Sequence, residues 1–204
     1  MLDIENKNIF IDFDGVICDS NEIKKGNIEA AAALYVDKKT ARTFREYFIA
    51  NNGLPRDLKT KEFFKEDMQV PTEKILEEYT KLNVNLLDAP LNTGLIRFLK
   101  KNSNDTVYIL SGGSREEIEE YLEKQGIRDY FYEILSAPTT KIEHLKNIER
   151  RPHDFFIGDS RYDCLAATAS GVNFIFMKGL TQEAPPFKFL SADDQVVENF
   201  IDLL

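Results

Sequence analysis

Two pairs of aspartates stand at spacings that bring carboxylates together. Asp12 and Asp14 follow the apolar run Ile9-Phe10-Ile11, and Asp159 and Asp163 follow Phe155-Phe156-Ile157 within Gly158-Asp159-Ser160-Arg161-Tyr162-Asp163. Along an extended backbone residues i and i+2 share a face, so Asp12 and Asp14 are expected to point into one crevice. Four carboxylates at close range repel one another and raise each other's pKa unless a cation sits among them. All-oxygen ligands favour Mg2+, a hard ion that takes one or two carboxylates plus a phosphate oxygen and keeps its waters. The expected ligand is therefore a phosphate. A single strand-end Asp is more simply a turn residue or helix cap, but two pairs, each behind an apolar run, are poorly explained that way. Ser111, directly after Val107-Tyr108-Ile109-Leu110, adds a hydroxyl at a third position of the same kind.

One kind of scaffold would gather these positions. The runs at 9–11, 107–110, 155–157 and 174–177 are short, branched or aromatic, and read as buried parallel strands. Helical periods lie between them. Residues 114–125 put Ile118, Tyr121, Leu122 and Gln125 on one face, Ser114 with Glu117 forms a capping box, and Gly126 supplies the stop. A second helix runs from about Ser160 to Gly171, another spans 94–101, and the tail 196–204 reads as a closing helix. Strands alternating with helices of this length predict α/β architecture, a doubly wound and mainly parallel sheet with helices on both faces. Right-handed crossovers then align every strand's C-terminal end along one edge, where open sheets of this type bind ligands. Residues 20–88 are different, with helical segments at 21–34, 39–49 and 72–82 punctuated by Pro55, Pro71 and the turn signal Asn51-Asn52-Gly53. They are expected to form a small helical cap domain inserted into an α/β core made of 1–19 and 89–204.

The same motifs resemble those of the haloacid dehalogenase (HAD) superfamily. Asp12-Phe13-Asp14-Gly15-Val16 looks like its first motif, Ser111-Gly112-Gly113 its second, Lys141 its third, and Gly158 through Asp163 its fourth. The likeness covers nearly the whole chain, including a cap placed as in the β-phosphoglucomutase and phosphoglycolate phosphatase branch. It implies a Mg2+-dependent phosphatase acting on a small phosphorylated metabolite. Asp12 would be the nucleophile that forms an aspartyl-phosphate. Asp14 would be the general acid for the leaving alcohol and then the base that activates water. Mg2+ would be held by Asp12, the backbone carbonyl of Asp14 and Asp159, with Asp163 a direct ligand or one step behind. Ser111 and the backbone N–H groups of Gly112 and Gly15 would donate to phosphoryl oxygens, and Lys141 would balance their charge. The second Asp of the first motif favours phosphoryl transfer over dehalogenation, because displacing a halide needs no protonated leaving group.

Substrate choice then falls to the cap. Gly53-Leu54-Pro55-Arg56 resembles a cap loop that projects an Arg towards a substrate anion, and a guanidinium fork suits such a group; an ordinary surface Arg after a turn explains it as well. Asn21, Lys24 and Lys25 open the first cap helix near the seam, where a solvated helix face is the plainer reading. Phe44, Tyr47 and Phe48 read as cap core. Arg115 and Arg161 read as paired surface charge. Cys18 and Cys164 are too few for a disulfide framework and lack zinc-site spacing, so they read as free buried thiols. No Ser-His-Asp or Cys-His grouping competes with the aspartates.

The remaining bounds come from composition. With 35 acidic against 26 basic residues the net charge is -9, which repels nucleic acid and anionic membranes at long range. No apolar run approaches the ~18–20 residues of a membrane span, and Met1-Leu2-Asp3-Ile4-Glu5 has no leader-like pattern, so a cytoplasmic location is expected. Monomer and dimer stay open. Two rivals share the acidic edge: a sugar phosphomutase, which returns the phosphoryl group to its substrate, and a phosphoacceptor signalling domain, which would carry neither the cap nor the DxD pair. A binding module that kept only the fold ranks below both.

Overall fold

The computed structural model describes residues 6–52 and 54–204. Gly53 and the N-terminal run 1–5 read above lie outside the described residues.

Six strands, β1 (Asn8–Ile11), β2 (Thr106–Leu110), β3 (Glu133–Leu135), β4 (Phe155–Gly158), β5 (Asn173–Met177) and β6 (Gln195–Val197), form one sheet in the order β3-β2-β1-β4-β5-β6. All five pairings are parallel. The chain builds outwards from β1 to β3, then returns to the other side of β1 for β4, so the order reverses between β1 and β4. At such a switch point the connections leave in opposite directions and a crevice opens at the carboxyl ends of the strands.

Period-two alternation decides which layer each side chain joins. Ile9, Ile11, Val107, Ile109, Ile157 and Ile175 pack on one face against α5 (Leu95–Lys101) and α6 (Arg115–Lys124). Phe10, Tyr108, Leu110, Phe156, Phe174 and Phe176 pack on the other against α7 (Lys141–Lys146) and α8 (Arg161–Ser170). Gly171, with φ +63°, ends α8 in the left-handed region, as expected of a helix stop.

Helices α1 (Asn21–Ala32), α2 (Lys38–Ala50), α3 (Arg56–Phe63) and α4 (Thr72–Leu82) follow β1 and share an apolar cluster of their own, including Ile28, Ala41, Phe44, Phe64, Ile75 and Tyr79. The two ends of this segment meet: Asp19 N donates to Pro90 O at 3.0 Å and Asn92 N to Ile17 O at 2.9 Å. Phe44 and Phe48 lie in the cap core, as their type and spacing indicate, with Tyr47 packed beside them. Cys18 and Cys164 are both free and buried.

One expectation about the elements needs correction. The tail is not a helix: 195–197 is an edge strand, followed by a short 3-10 turn at Phe200–Leu203 whose Phe200 packs on Phe98 at 5.1 Å between ring centroids. α3, β3 and β6 have no counterpart among the segments read from the sequence. No helix among the described residues is long and apolar enough to cross a membrane.

Candidate active site

The switch point carries the acidic cluster. Asp12 directly follows β1 and Asp159 directly follows β4, and both are almost fully buried together with Asp163 in the first turn of α8. Asp12, Asp159 and Asp163 each present a carboxylate oxygen within 4.8 Å of the others. Lys141, the first residue of α7, reaches in from the neighbouring crossover, its Nζ 2.8 Å from Asp12 Oδ1 and 2.6 Å from Asp163 Oδ1. Lys146, in the last turn of the same helix, is exposed.

The hydrogen bonds assign different positions to the three acids. Asp163 is fully engaged: Oδ1 takes Lys141, while Oδ2 accepts from Ser160 N at 3.1 Å and Ser160 Oγ at 2.6 Å in a capping box that starts α8. Asp12 Oδ1 accepts from Phe13 N at 2.7 Å as well as facing Lys141. Asp159 is the least satisfied. Its Oδ2 accepts from Asn21 Nδ2 at 3.2 Å, and its buried Oδ1 has no hydrogen-bond partner. Burial, countered by Lys141 and reinforced by Asp163, pushes the Asp12 carboxyl up to about 7. Burial followed by Asp12 and Asp163 raises Asp159 well above the usual carboxylate range. Lys141 is raised as well, because its two aspartates outweigh the burial that would otherwise lower it. One ammonium thus serves three crowded carboxylates, and an orphaned hard oxygen remains. This donor set fits a hard divalent cation.

Asp14 lines the same cleft but not by the extended-chain argument. The backbone turns after Asp12, with the N–H groups of Ile17 and Cys18 both returning to Phe13 O. The turn sends the Asp14 carboxylate away from the other three, towards Ser20 Oγ at 2.6 Å and Lys24 Nζ at 2.6 Å. Burial would raise its pKa, but Lys24 and these bonds overcome that and hold Asp14 below its ordinary value. Only its backbone carbonyl remains as a possible metal ligand. Gly15 also departs from expectation, because its N–H is spent on Cys18 O at 2.9 Å. What the position needs is space: φ is +74°, and a Cβ there would stand 2.2 Å from Asp159 Oδ2 and 2.4 Å from Asn21 Nδ2.

Ser111 follows β2 and, with Gly112 and Gly113, lines the cleft opposite the cap. The capping box expected between Ser114 and Glu117 is half formed. Ser114 Oγ accepts from Glu117 N, but the Glu117 carboxylate turns to the cap, where Arg56 Nη1 donates to it at 2.7 Å. Arg56 therefore lines the cleft already neutralised, with its guanidinium 5.6 Å from the Tyr79 ring centroid. Asn21 and Lys24 are not a solvated face, since both turn into the seam and bond Asp159 and Asp14. Lys25 pairs with Glu22 at the surface. Arg115 and Arg161 are surface cations engaged with Glu119 and Glu183.

The residue that sequence reasoning missed is Lys59. It lies on α3, lines the cleft, and is 4% exposed. Its only signal was position, three residues past Arg56 in a helix hidden by its own charges.

A doubly wound parallel sheet with buried carboxylates at its switch point and a helical cluster over them defines the structural class. Residues 9–177 match the family model of the haloacid dehalogenase-like hydrolases, and the chain belongs to that family. No curated protein matches it. Among solved structures, it is similar to a haloacid dehalogenase-like hydrolase from Bacteroides fragilis (TM-score 0.76, 18% identity, covering 98% of this chain and 100% of that one). CbbY from Rhodobacter sphaeroides in complex with phosphate gives 0.74 and 17%, covering 97% and 96%. YfnB from Bacillus subtilis bound to magnesium gives 0.67 and 14%, again covering 97% and 96%.

Proposed function

We propose that this hydrolase is a Mg2+-dependent phosphatase of a small phosphorylated metabolite, working through an aspartyl-phosphate on Asp12. The observation that carries the reading is the convergence of Asp12, Asp159, Asp163 and Lys141 at the switch point, with Asp159 Oδ1 buried and unpartnered. The structural neighbours lend support, since CbbY has been seen with phosphate and with xylulose-1,5-bisphosphate, and YfnB with magnesium.

Asp12 Oδ1 is fixed by Phe13 N and Lys141, which leaves Oδ2 to attack phosphorus. As the new O–P bond forms, the bond from phosphorus to the substrate oxygen breaks, and that oxygen takes a proton from Asp14. Water then attacks the phosphoaspartate and gives its proton to Asp14, releasing phosphate and regenerating Asp12. In the arrangement seen here Asp14 is ionised and held by Lys24, which suits the second, basic step. The acid step needs Lys24 to let go, and Lys24 sits on the first cap helix. Mg2+ would be held by Asp12, Asp159 and the Asp14 carbonyl, and when bound it neutralises the charge of the carboxylates and phosphoryl oxygens that must approach one another. Asp163 holds Lys141 and takes part in the capping box of α8, while Ser111 and the Gly112 N–H, which line the cleft, would donate to phosphoryl oxygens.

The test is release of phosphate from p-nitrophenyl phosphate. We expect turnover with Mg2+, loss with EDTA, recovery on adding Mg2+ back, and at least a thousandfold drop for Asp12→Asn. Full activity of Asp12→Asn would sink the mechanism, and isomer conversion without stoichiometric phosphate would assign the site to a mutase.

A further inference from the structure

Five cations line the cleft: Lys24, Lys25, Arg56, Lys59 and Lys141. Four already have carboxylates, Lys24 in Asp14, Lys25 in Glu22, Arg56 in Glu117, and Lys141 in Asp12 and Asp163. Among the described residues Lys59 forms no ion pair. Its Nζ donates to Phe48 O at 3.3 Å and lies 3.6 Å from the Phe48 ring centroid. A buried ammonium without a counter-anion costs several kcal/mol, and one carbonyl with one ring returns only part of that. Burial, then Lys24, pushes the Lys59 pKa down to about 7, with Asp14 pulling the other way and Arg56 and Lys141 adding to the depression.

A ligand anion would supply what the protein leaves out. Arg56 is the poorer reader, because engaging a ligand would strip Glu117 of its partner inside the seam, whereas Lys59 has no carboxylate to abandon. The two also differ in setting: Arg56 bridges cap to core, while Lys59 is held only by cap residues.

We propose that Lys59 recognises a second anionic group on the substrate, at the end remote from the transferred phosphoryl group, so that the preferred substrates are phosphate monoesters carrying a carboxylate or a second phosphate. The proposal rests on the reading of this cleft as a phosphate site. It makes Lys59 a specificity residue, its penalty in the free protein being offset when the doubly anionic substrate binds.

The test is calorimetric titration of the Asp12→Asn protein in Mg2+ with matched probes. Phosphoglycolate is compared with ethyl phosphate, and 1,3-propanediol bisphosphate with propyl phosphate, so each pair differs by one anionic group and the two pairs separate carboxylate from phosphate. We expect at least one doubly anionic probe to bind tenfold or more tighter than its singly charged match. Adding Lys59→Met or Lys59→Gln should cut that preference at least fivefold, with partial rescue by Lys59→Arg. No preference in the protein that keeps Lys59 overturns the proposal without any substitution at that position, and a preference that survives both neutral variants overturns it too. Because the titration needs no turnover, a Lys59-dependent preference would leave this proposal standing even if the parent protein, with Asp12 intact, released no phosphate from any of the probes, an outcome that would refute the phosphatase reading. An active phosphatase without the preference would do the reverse.

Discussion

At the scale of single residues, the site holds charge in places where folding alone would not put it. Asp159 illustrates this, with one oxygen on Asn21 and the other buried without a partner beside Asp12 and Asp163. Asp159→Asn keeps the shape, can still accept from Asn21, and turns an amide towards the neighbouring carboxylates. In EDTA it should stabilise the protein by about 1–2 kcal/mol, a melting point several degrees higher, while removing the Mg2+-induced rise and most of the turnover. A lower melting point in EDTA, or an intact response to Mg2+, would contradict this account of the cluster. Lys59 gives a pH dependence of defined sign. The folded protein penalises its ammonium, and the unfolded chain does not. Below about pH 7 both states are protonated and the whole penalty is present; between 7 and 10.5 only the unfolded state keeps the proton, so the penalty disappears as pH rises. Lys59→Met should therefore be more stable than the parent at pH 6, by a few kcal/mol, with the advantage shrinking towards pH 10 in urea titrations. A gap that does not change with pH would mean that packing, not charge, sets the difference.

At the scale of elements, the cap has an apolar cluster of its own and meets the sheet through polar contacts together with Ile23 and Leu87, which pack on the layer under α5 and α6. Phe44 packs against Phe48, Phe63 and Phe64 at 4.9–5.7 Å between centroids, in a cluster that shares no residue with either face of the sheet. Phe44→Ala should cost roughly 3–5 kcal/mol, concentrated in the cap. Hydrogen exchange should then rise across α1 to α4 while β1, β2 and β4 stay protected, and loss of protection in those strands would show that the two parts unfold together. The same division explains what the sequence disclosed. β1, β2, β4 and β5 were legible because strands buried on both faces need unbroken apolar runs, and the catalytic candidates were legible because they directly follow such runs. β3 and β6 are three-residue edge strands, too short for a pattern, and Glu133 and Gln195 begin them. α3 reads Arg-Asp-Leu-Lys-Thr-Lys-Glu-Phe, so its charges hid the period that would have placed Lys59. The box at Ser114 is only half formed for a tertiary reason. Glu117 has a better partner in Arg56, sixty-one residues away in sequence, and no local rule can anticipate it.

At the scale of the whole molecule, charge acts twice and in opposite senses. The net charge of -9 belongs mostly to ordinary surface acids, such as Glu119 and Glu120 on α6, and it repels an anionic ester far from the site. Inside the cleft Lys24, Lys59 and Lys141 are largely buried and act at short range, where mobile ions screen them little. Salt separates the two effects, because raising KCl from about 0.01 to 0.1 M shortens the Debye length from roughly 30 to 10 Å. That removes the long-range repulsion and leaves buried pairs nearly untouched. At fixed free Mg2+, kcat/KM for p-nitrophenyl phosphate should therefore rise about two- to threefold over this interval and then level off. Should it fall from the first addition of salt, the cleft cations would dominate the field outside the protein as well, and the acidic surface would have no part in how substrate arrives.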